Sequence, residues 1–163
     1  MTNNYEQGKM EYLRTKVLTA SPEELHLMLY DGAIRFAEEA KTALQEGNME
    51  KAHDALVRTQ NIVLEMSSGL NHHIDPDLCA KLSSLYNFIY RRLIEANLKR
   101  EILPIEDALK ILNYQRETWI LLMRQLTQDH KDQSAVAAVP ADEESNTSDN
   151  SFSEPGASLS LSA

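Results

Sequence analysis

Ser21-Pro22-Glu23-Glu24-Leu25 opens a stretch whose apolar residues fall at Leu25, Leu29, Ala33, Phe36, Ala40 and Leu44 before Gly47-Asn48 stops it. Steps of three and four put these side chains on one side of an α-helix, since a helical turn takes 3.6 residues. Ser21 suits the N-cap. Pro22 suits the first helical position, where its missing N–H is not needed, and Glu24 can close a capping box back onto Ser21. A helix with a single apolar stripe has to bury that stripe against another element.

Three further stretches of the same kind follow. One starts at Asn48 and carries Ala52, Leu56, Thr59, Val63, Met66 and Leu70, ending at Gly69 and the loop through His72, His73 and Asp75-Pro76. Pro76 opens the next, with Leu78, Leu82, Leu85, Ile89, Leu93 and Ala96 on one face. Pro104 opens the last, with Ile105, Ala108, Leu112, Trp119, Leu122 and Leu126. Each spans about 20 to 25 residues, or roughly 30 to 37 Å. Matched lengths and short connections predict an all-α fold, an antiparallel four-helix bundle over residues 21–130.

The two ends differ from this middle. Residues 1–20 are polar with isolated apolar points at Met10, Tyr12, Leu13, Val17 and Leu18; without a helix-length pattern they are expected to form a flexible N-terminal arm. Residues 131–163 are rich in Ser, Ala, Asp and Glu and are expected to form a disordered C-terminal tail, although Ala135 to Val139 can extend the last helix by a turn. The tail holds one basic and six acidic residues, a net of −5, against −4 for residues 1–130, so the chain's total of −9 is mostly a property of its end.

Charge and composition exclude several classes of function. An acidic chain without clustered Lys and Arg does not neutralise a phosphate backbone, so no nucleic acid is expected. No apolar run reaches the roughly 18 residues of a membrane span, so no membrane insertion is expected, and residues 1–11 are too polar for a signal peptide. The single Cys79 cannot form an intrachain bridge and fits a reducing compartment. A cytoplasmic protein is the expectation.

The chemistry-bearing residues give little. Glu23-x-x-His26 and Glu50-x-x-His53 resemble half of a di-iron carboxylate site, but each opens one of two consecutive antiparallel helices, which sets them roughly 30 Å apart. No metal and no cofactor is expected. Cys79 lacks a neighbouring base, and glycine-rich phosphate loops and nucleophile elbows are missing from the chain, so no catalytic residue is assigned and the chain is expected not to be an enzyme. The alternative with most support is a histidine phosphotransfer bundle acting through His53, set on an exposed face in Ala52-His53-Asp54-Ala55-Leu56; those domains usually follow the histidine with a Lys-Gly step, where this chain has Leu56 and Val57.

More informative is apolar surface beyond what one stripe per helix requires. Tyr86, Tyr90, Ile94 and Leu98 form a second i, i+4 line beside the core line of the third helix, and Ile62, Leu64, Ile111, Tyr114, Ile120 and Met123 add to it from other helices. These residues either widen the core or line an external groove. Tyr86 and Tyr90 carry hydroxyls that suit the wet margin of a groove accepting another helix. Arg91 and Arg92, which follow at once, bracket such a groove or belong to a solvated face.

Several segments together resemble the bacterial flagellar secretion chaperone family FliS. They are Thr19-Ala20-Ser21-Pro22-Glu23-Glu24-Leu25 with Leu27-Met28-Leu29-Tyr30-Asp31-Gly32-Ala33, then Gln60-Asn61-Ile62, Leu70-Asn71, Leu85-Tyr86, Tyr90-Arg91-Arg92-Leu93 and Glu95-Ala96-Asn97-Leu98, with Trp119 late in the last helix. The resemblance covers about residues 12–125. It implies a cytoplasmic chaperone for flagellar type III export that binds the C-terminal region of flagellin along an apolar groove and prevents premature polymerisation, with components of the export gate as further partners. It also implies an arm, with a tyrosine matching Tyr12, that lies over part of the groove when the protein is free. Tyr12, Val17, Ile62, Tyr86, Tyr90, Arg91, Arg92, Ile94, Asn97 and Leu98 are the implied partner-binding residues, and a homodimer of the free chain is compatible with such a groove. The acidic tail and the Ile102-Leu103-Pro104 turn depart from the family pattern.

Overall fold

The computed structural model describes residues 3–137. They form α1 (Asn3–Thr19), α2 (Pro22–Gln45), α3 (Met49–Ser68), α4 (Pro76–Lys99) and α5 (Leu103–Ala137), with no strand among the described residues. Helices α2 to α5 form the four-helix bundle. Each packs on its sequence neighbours, and α2 closes the ring against α5.

The starts are those the local chemistry dictates. Ser21 Oγ accepts from the Glu24 N–H at 3.1 Å while Glu24 Oε2 accepts from the Ser21 N–H at 2.9 Å, a complete capping box. Asn48 caps α3 through the Lys51 N–H, and Asp75 caps α4 through the Leu78 N–H with Pro76 next to it. Gly47 takes a φ of 74° in the turn between α2 and α3, a conformation glycine adopts without strain. At the far end of α4 the left-handed position falls to Arg100, at φ 58°.

The core is drawn from Ala33, Ala37 and Ala40 of α2, Leu56, Val63 and Met66 of α3, Tyr86, Ile89, Leu93 and Ala96 of α4, and Ile105, Ala108 and Leu112 of α5. Several positions differ from the periodicity reading: Leu78, Leu122 and Leu126 of the expected stripes are exposed, and two exchanges of face stand beside them. On α2 the buried line runs through Tyr30 and alanines, whereas Phe36 sits at the edge with Arg35 and Arg58 over its ring. On α4 it is Tyr86 that is buried, at 1% exposure, and Leu85 that faces outward at 38%. Both choices satisfy a helical period, so the periodicity alone did not separate them.

Polar pairs tie the seams. Lys41 bonds Glu106 at 2.9 Å and Asp31 bonds Arg116 at 2.5 Å across α2 and α5. Arg92 joins Glu95 on its own helix to Asp107 on α5, and the hydrogen bond from Lys99, followed by that from Arg92, holds the Glu95 carboxyl below its ordinary range. Such partly exposed pairs set register more than they add stability.

The ends carry more helix than their composition suggests. Residues 3–19 are helical rather than patternless, yet every described side chain from Asn4 to Thr19 is exposed. Residues 131–137 continue α5, and the remainder of the expected tail, 138–163, lies outside the described residues. From Arg124 to Ala135 every side chain of α5 is exposed, so the helix runs past the bundle.

Candidate functional site

Where α2 begins, α3 ends and α4 begins, the bundle opens into an apolar pocket of about 520 Å³ against the middle of α5. Leu78, Leu82 and Leu85 of α4 face Trp119 and Leu122 of α5 across it, and Leu70 closes the α3 end. The wall exists because α4 and α5 carry large apolar residues beside their core lines, and α2 reaches this end only with its first turns.

Its lower wall is polar. Tyr30 and Tyr86 meet there with their hydroxyl oxygens 3.1 Å apart. Burial pushes the pKa of both hydroxyls up, and the mutual bond raises that of Tyr30 further. Each hydroxyl carries one hydrogen, and one bond between them uses only one of the two. His26 stands edge-on to Tyr30 at 5.0 Å and tilted over Trp119 at 4.5 Å; burial lowers its pKa, favouring the neutral ring. The Trp119 indole N–H donates to the Glu23 carbonyl at 3.0 Å, fixing the ring at the pocket mouth.

Gln115 completes the lining. It is 6% exposed, and neither its amide nitrogen nor its amide oxygen has a hydrogen-bond partner among the described residues. A buried polar group left unpaired costs about 1–3 kcal/mol; Gln60 Nε2 and Arg92 Nε are likewise buried without a partner among the described residues, whereas the buried Thr59 hydroxyl donates to the Ala55 carbonyl at 2.9 Å.

Of the residues expected to bind a partner, only Tyr86 reaches this pocket, and it does so from the buried floor rather than from a wet margin. Tyr90 is half-buried against the core, Ile94 is half-buried, and Leu98 is 79% exposed farther along α4. Arg91 is exposed, and Arg92 is engaged by Glu95 and Asp107. Asn97 Oδ1 lies 3.0 Å from Nδ1 of His53, which ties α4 to α3 and gives the candidate phosphate acceptor a structural partner. Ile62 turns toward α2, where its Cδ1 would lie 3.3 Å from a Cβ placed on Gly32. Tyr12 and Val17 are exposed on α1, and no α1 residue lines the pocket.

His26, Tyr30 and Gln115 were not singled out as site residues from the chain. For Gln115 a signal existed: the stripe Ile105, Ala108, Leu112, Trp119 has a gap of seven, and position 115 fills it with a polar residue. No group of three or more His, Cys, Asp or Glu side chains among the described residues is arranged to hold a metal ion.

The family model described as flagellar protein FliS matches residues 1–126. The chain belongs to the FliS family. The flagellar secretion chaperone FliS of Bacillus subtilis (strain 168) is 31% identical over 126 residues, which is 77% of this chain and 93% of that one. The FliS of Salmonella typhimurium is 32% identical over 108 residues, 66% of this chain and 80% of that one. A crystal structure titled as a flagellar chaperone from bacteria superimposes with a TM-score of 0.61 at 19% identity, over 74% of this chain and 98% of that chain, a likeness of fold. FliS is a chaperone family of flagellar biogenesis and export, not a family of enzymes. The FliS match ends at residue 126, short of the acidic segment. No helix among the described residues is long and apolar enough to cross a membrane.

Proposed function

We propose that this FliS chain is a cytoplasmic chaperone that holds the C-terminal region of flagellin before its export through the flagellar type III system, keeping it from polymerising. The observation that carries this reading is the open apolar pocket at the end of the bundle, whose leucine and tryptophan walls stand over the core. Terminal segments of a filament subunit have apolar faces that are unburied until assembly, and a preformed groove on a rigid bundle supplies that burial.

In this reading the pocket takes the anchoring apolar side chains. Tyr90, Arg91, Arg92, Ile94, Asn97 and Leu98 continue the contact along α4, Ile62 adds to it from α3, and Tyr12 and Val17 contribute from α1. Affinity concentrates in the few anchors that become fully desolvated. Components of the export gate are further partners, and self-association of the free chain is limited to the surface that flagellin covers.

Size-exclusion chromatography of the chain mixed with flagellin tests the proposal. A stable one-to-one complex is expected, and it is expected to vanish when the flagellin lacks its C-terminal region. Equal complex formation with the truncated flagellin would count against the assignment.

A further inference from the structure

We infer that His26 makes the pocket's hold on flagellin proton-dependent: a filled pocket accepts the neutral imidazole and rejects the imidazolium, so binding loosens as the solution turns acid. This rests on the proposed flagellin binding and adds to it a control acting at the same site.

The geometry places the ring where a ligand has to cover it. His26 belongs to the pocket lining, edge-on to Tyr30 and tilted over Trp119. The buried side-chain atoms shut off without a partner among the described residues are those of Gln60, Arg92 and Gln115. The His26 ring nitrogens are not among them and hydrogen-bond to none of the described residues, so the open pocket lets water reach them. An apolar side chain seated between Trp119 and the leucines of α4 displaces that water and brings no hydrogen-bonding group in its place. A cation that loses its water without gaining a partner costs far more than a neutral ring in the same position. Burial within the bundle already lowers the His26 pKa, and a ligand on the open side extends the same effect.

The groups around the ring leave the titration to His26. On α2, Glu23 precedes it by three residues and Tyr30 follows it by four; α4 brings Tyr86, α5 brings Tyr114, and residues 69–71 at the end of α3 bring no ionisable side chain. Glu23 is exposed, Asp31 is taken up by Arg116, and no neighbouring charge offsets the burial of His26. Carboxylates and phenols ordinarily titrate outside the range from about pH 5.5 to 7.5. His53, His72, His73 and His130 lie outside the lining. The free protein therefore holds the His26 proton better than the complex does. Affinity is whole above the free-state pKa, which lies below the ordinary 6.5, and falls as pH drops through it.

Calorimetric titrations of the full chain with a synthetic peptide spanning the C-terminal region of the organism's flagellin test this at pH 7.5 and 5.5, each in two buffers of different ionisation enthalpy. Wild type is expected to bind about threefold more weakly at the lower pH, releasing a fraction of a proton on binding there and close to none at the higher. His26→Gln and His26→Phe do not titrate, and are expected to lose that proton release and most of the pH dependence, whatever their affinity at pH 7.5. Circular dichroism at both pH values shows which proteins are folded, and either variant carries the comparison if the other melts early. Equal pH dependence and equal proton release in wild type and both variants would overturn the role of His26 alone and assign the linkage to the peptide's own groups. Tighter wild-type binding in acid would overturn it as well, because Tyr30 and Trp119 would then be holding the cation against their ring faces. A wild-type protein that fails to bind the peptide at pH 7.5 would overturn the flagellin reading itself, and this inference with it.

Discussion

The Tyr30 and Tyr86 hydroxyls are buried in the same place and have each other as partner at 3.1 Å. Replacing Tyr86 with Phe leaves the Tyr30 hydroxyl without a partner in an apolar surround. That is expected to lower the unfolding free energy by about 1–2 kcal/mol in urea titrations. The double replacement, Tyr30→Phe with Tyr86→Phe, is expected to cost less than the two single ones together, because no hydroxyl is then stranded; strict additivity would mean that the two do not interact. His26 sets a second expectation. Burial puts its folded pKa below the ordinary 6.5, so the unfolded chain binds the proton more readily. The stability it contributes is whole above about 6.5 and is lost as pH falls below that toward the folded value. Wild type is expected to lose more melting temperature between pH 7.5 and 5.5 than His26→Phe, and parallel losses would assign the effect to other groups. Neither His26 nor Tyr30 was legible as a site residue in the chain. A helical period tells which side a residue faces, and only the neighbours on α4 and α5 turn that side into a pocket floor.

At the level of elements most of the fold was written locally. Ser21 with Glu24, Asn48 and Asp75-Pro76 are start signals whose hydrogen bonds all form, and Gly47 is the stop that its left-handed φ requires. What periodicity missed is instructive. α1 lacks an amphipathic pattern because nothing in the fold asks it to bury a face; it is helical on residues such as Glu6, Lys9, Met10, Glu11, Leu13 and Arg14, which favour helix by propensity alone. With no buried side chain from Asn4 to Thr19, removing residues 1–19 is expected to change the bundle's unfolding free energy by less than about 0.5 kcal/mol. A larger loss in chemical denaturation would show that α1 docks in solution. Arg100 is the opposite case, a non-glycine residue in the left-handed cap of α4. Arg100→Gly relieves that conformation and is expected to stabilise the protein by about 0.5–1 kcal/mol despite the freer unfolded chain. A destabilised variant would mean that the arginine's charge at the helix terminus outweighs its backbone cost.

For the whole molecule the pocket is a product of assembly. Its lining comes from residues 22–30, 69–71, 78–86 and 114–122, four pieces that no single periodic stripe connects. The chain showed an excess of apolar surface on α4, but assigned it to a Tyr86, Tyr90, Ile94, Leu98 line. The folded bundle divides that line, with Tyr86 under the pocket and Leu98 79% exposed toward the other end of α4. Where binding energy concentrates follows from desolvation, because an apolar residue in a cavity wall loses its water on contact and an isolated exposed one stays near water. Leu85→Asp puts a carboxylate into the pocket wall at a residue already 38% exposed, so the bundle tolerates it while a buried partner does not. It is expected to weaken flagellin binding by at least about tenfold in calorimetry, whereas Leu98→Asp changes it about two- to threefold. The reverse ranking, with both variants melting like wild type, would move the anchor from the pocket to the outer line of α4.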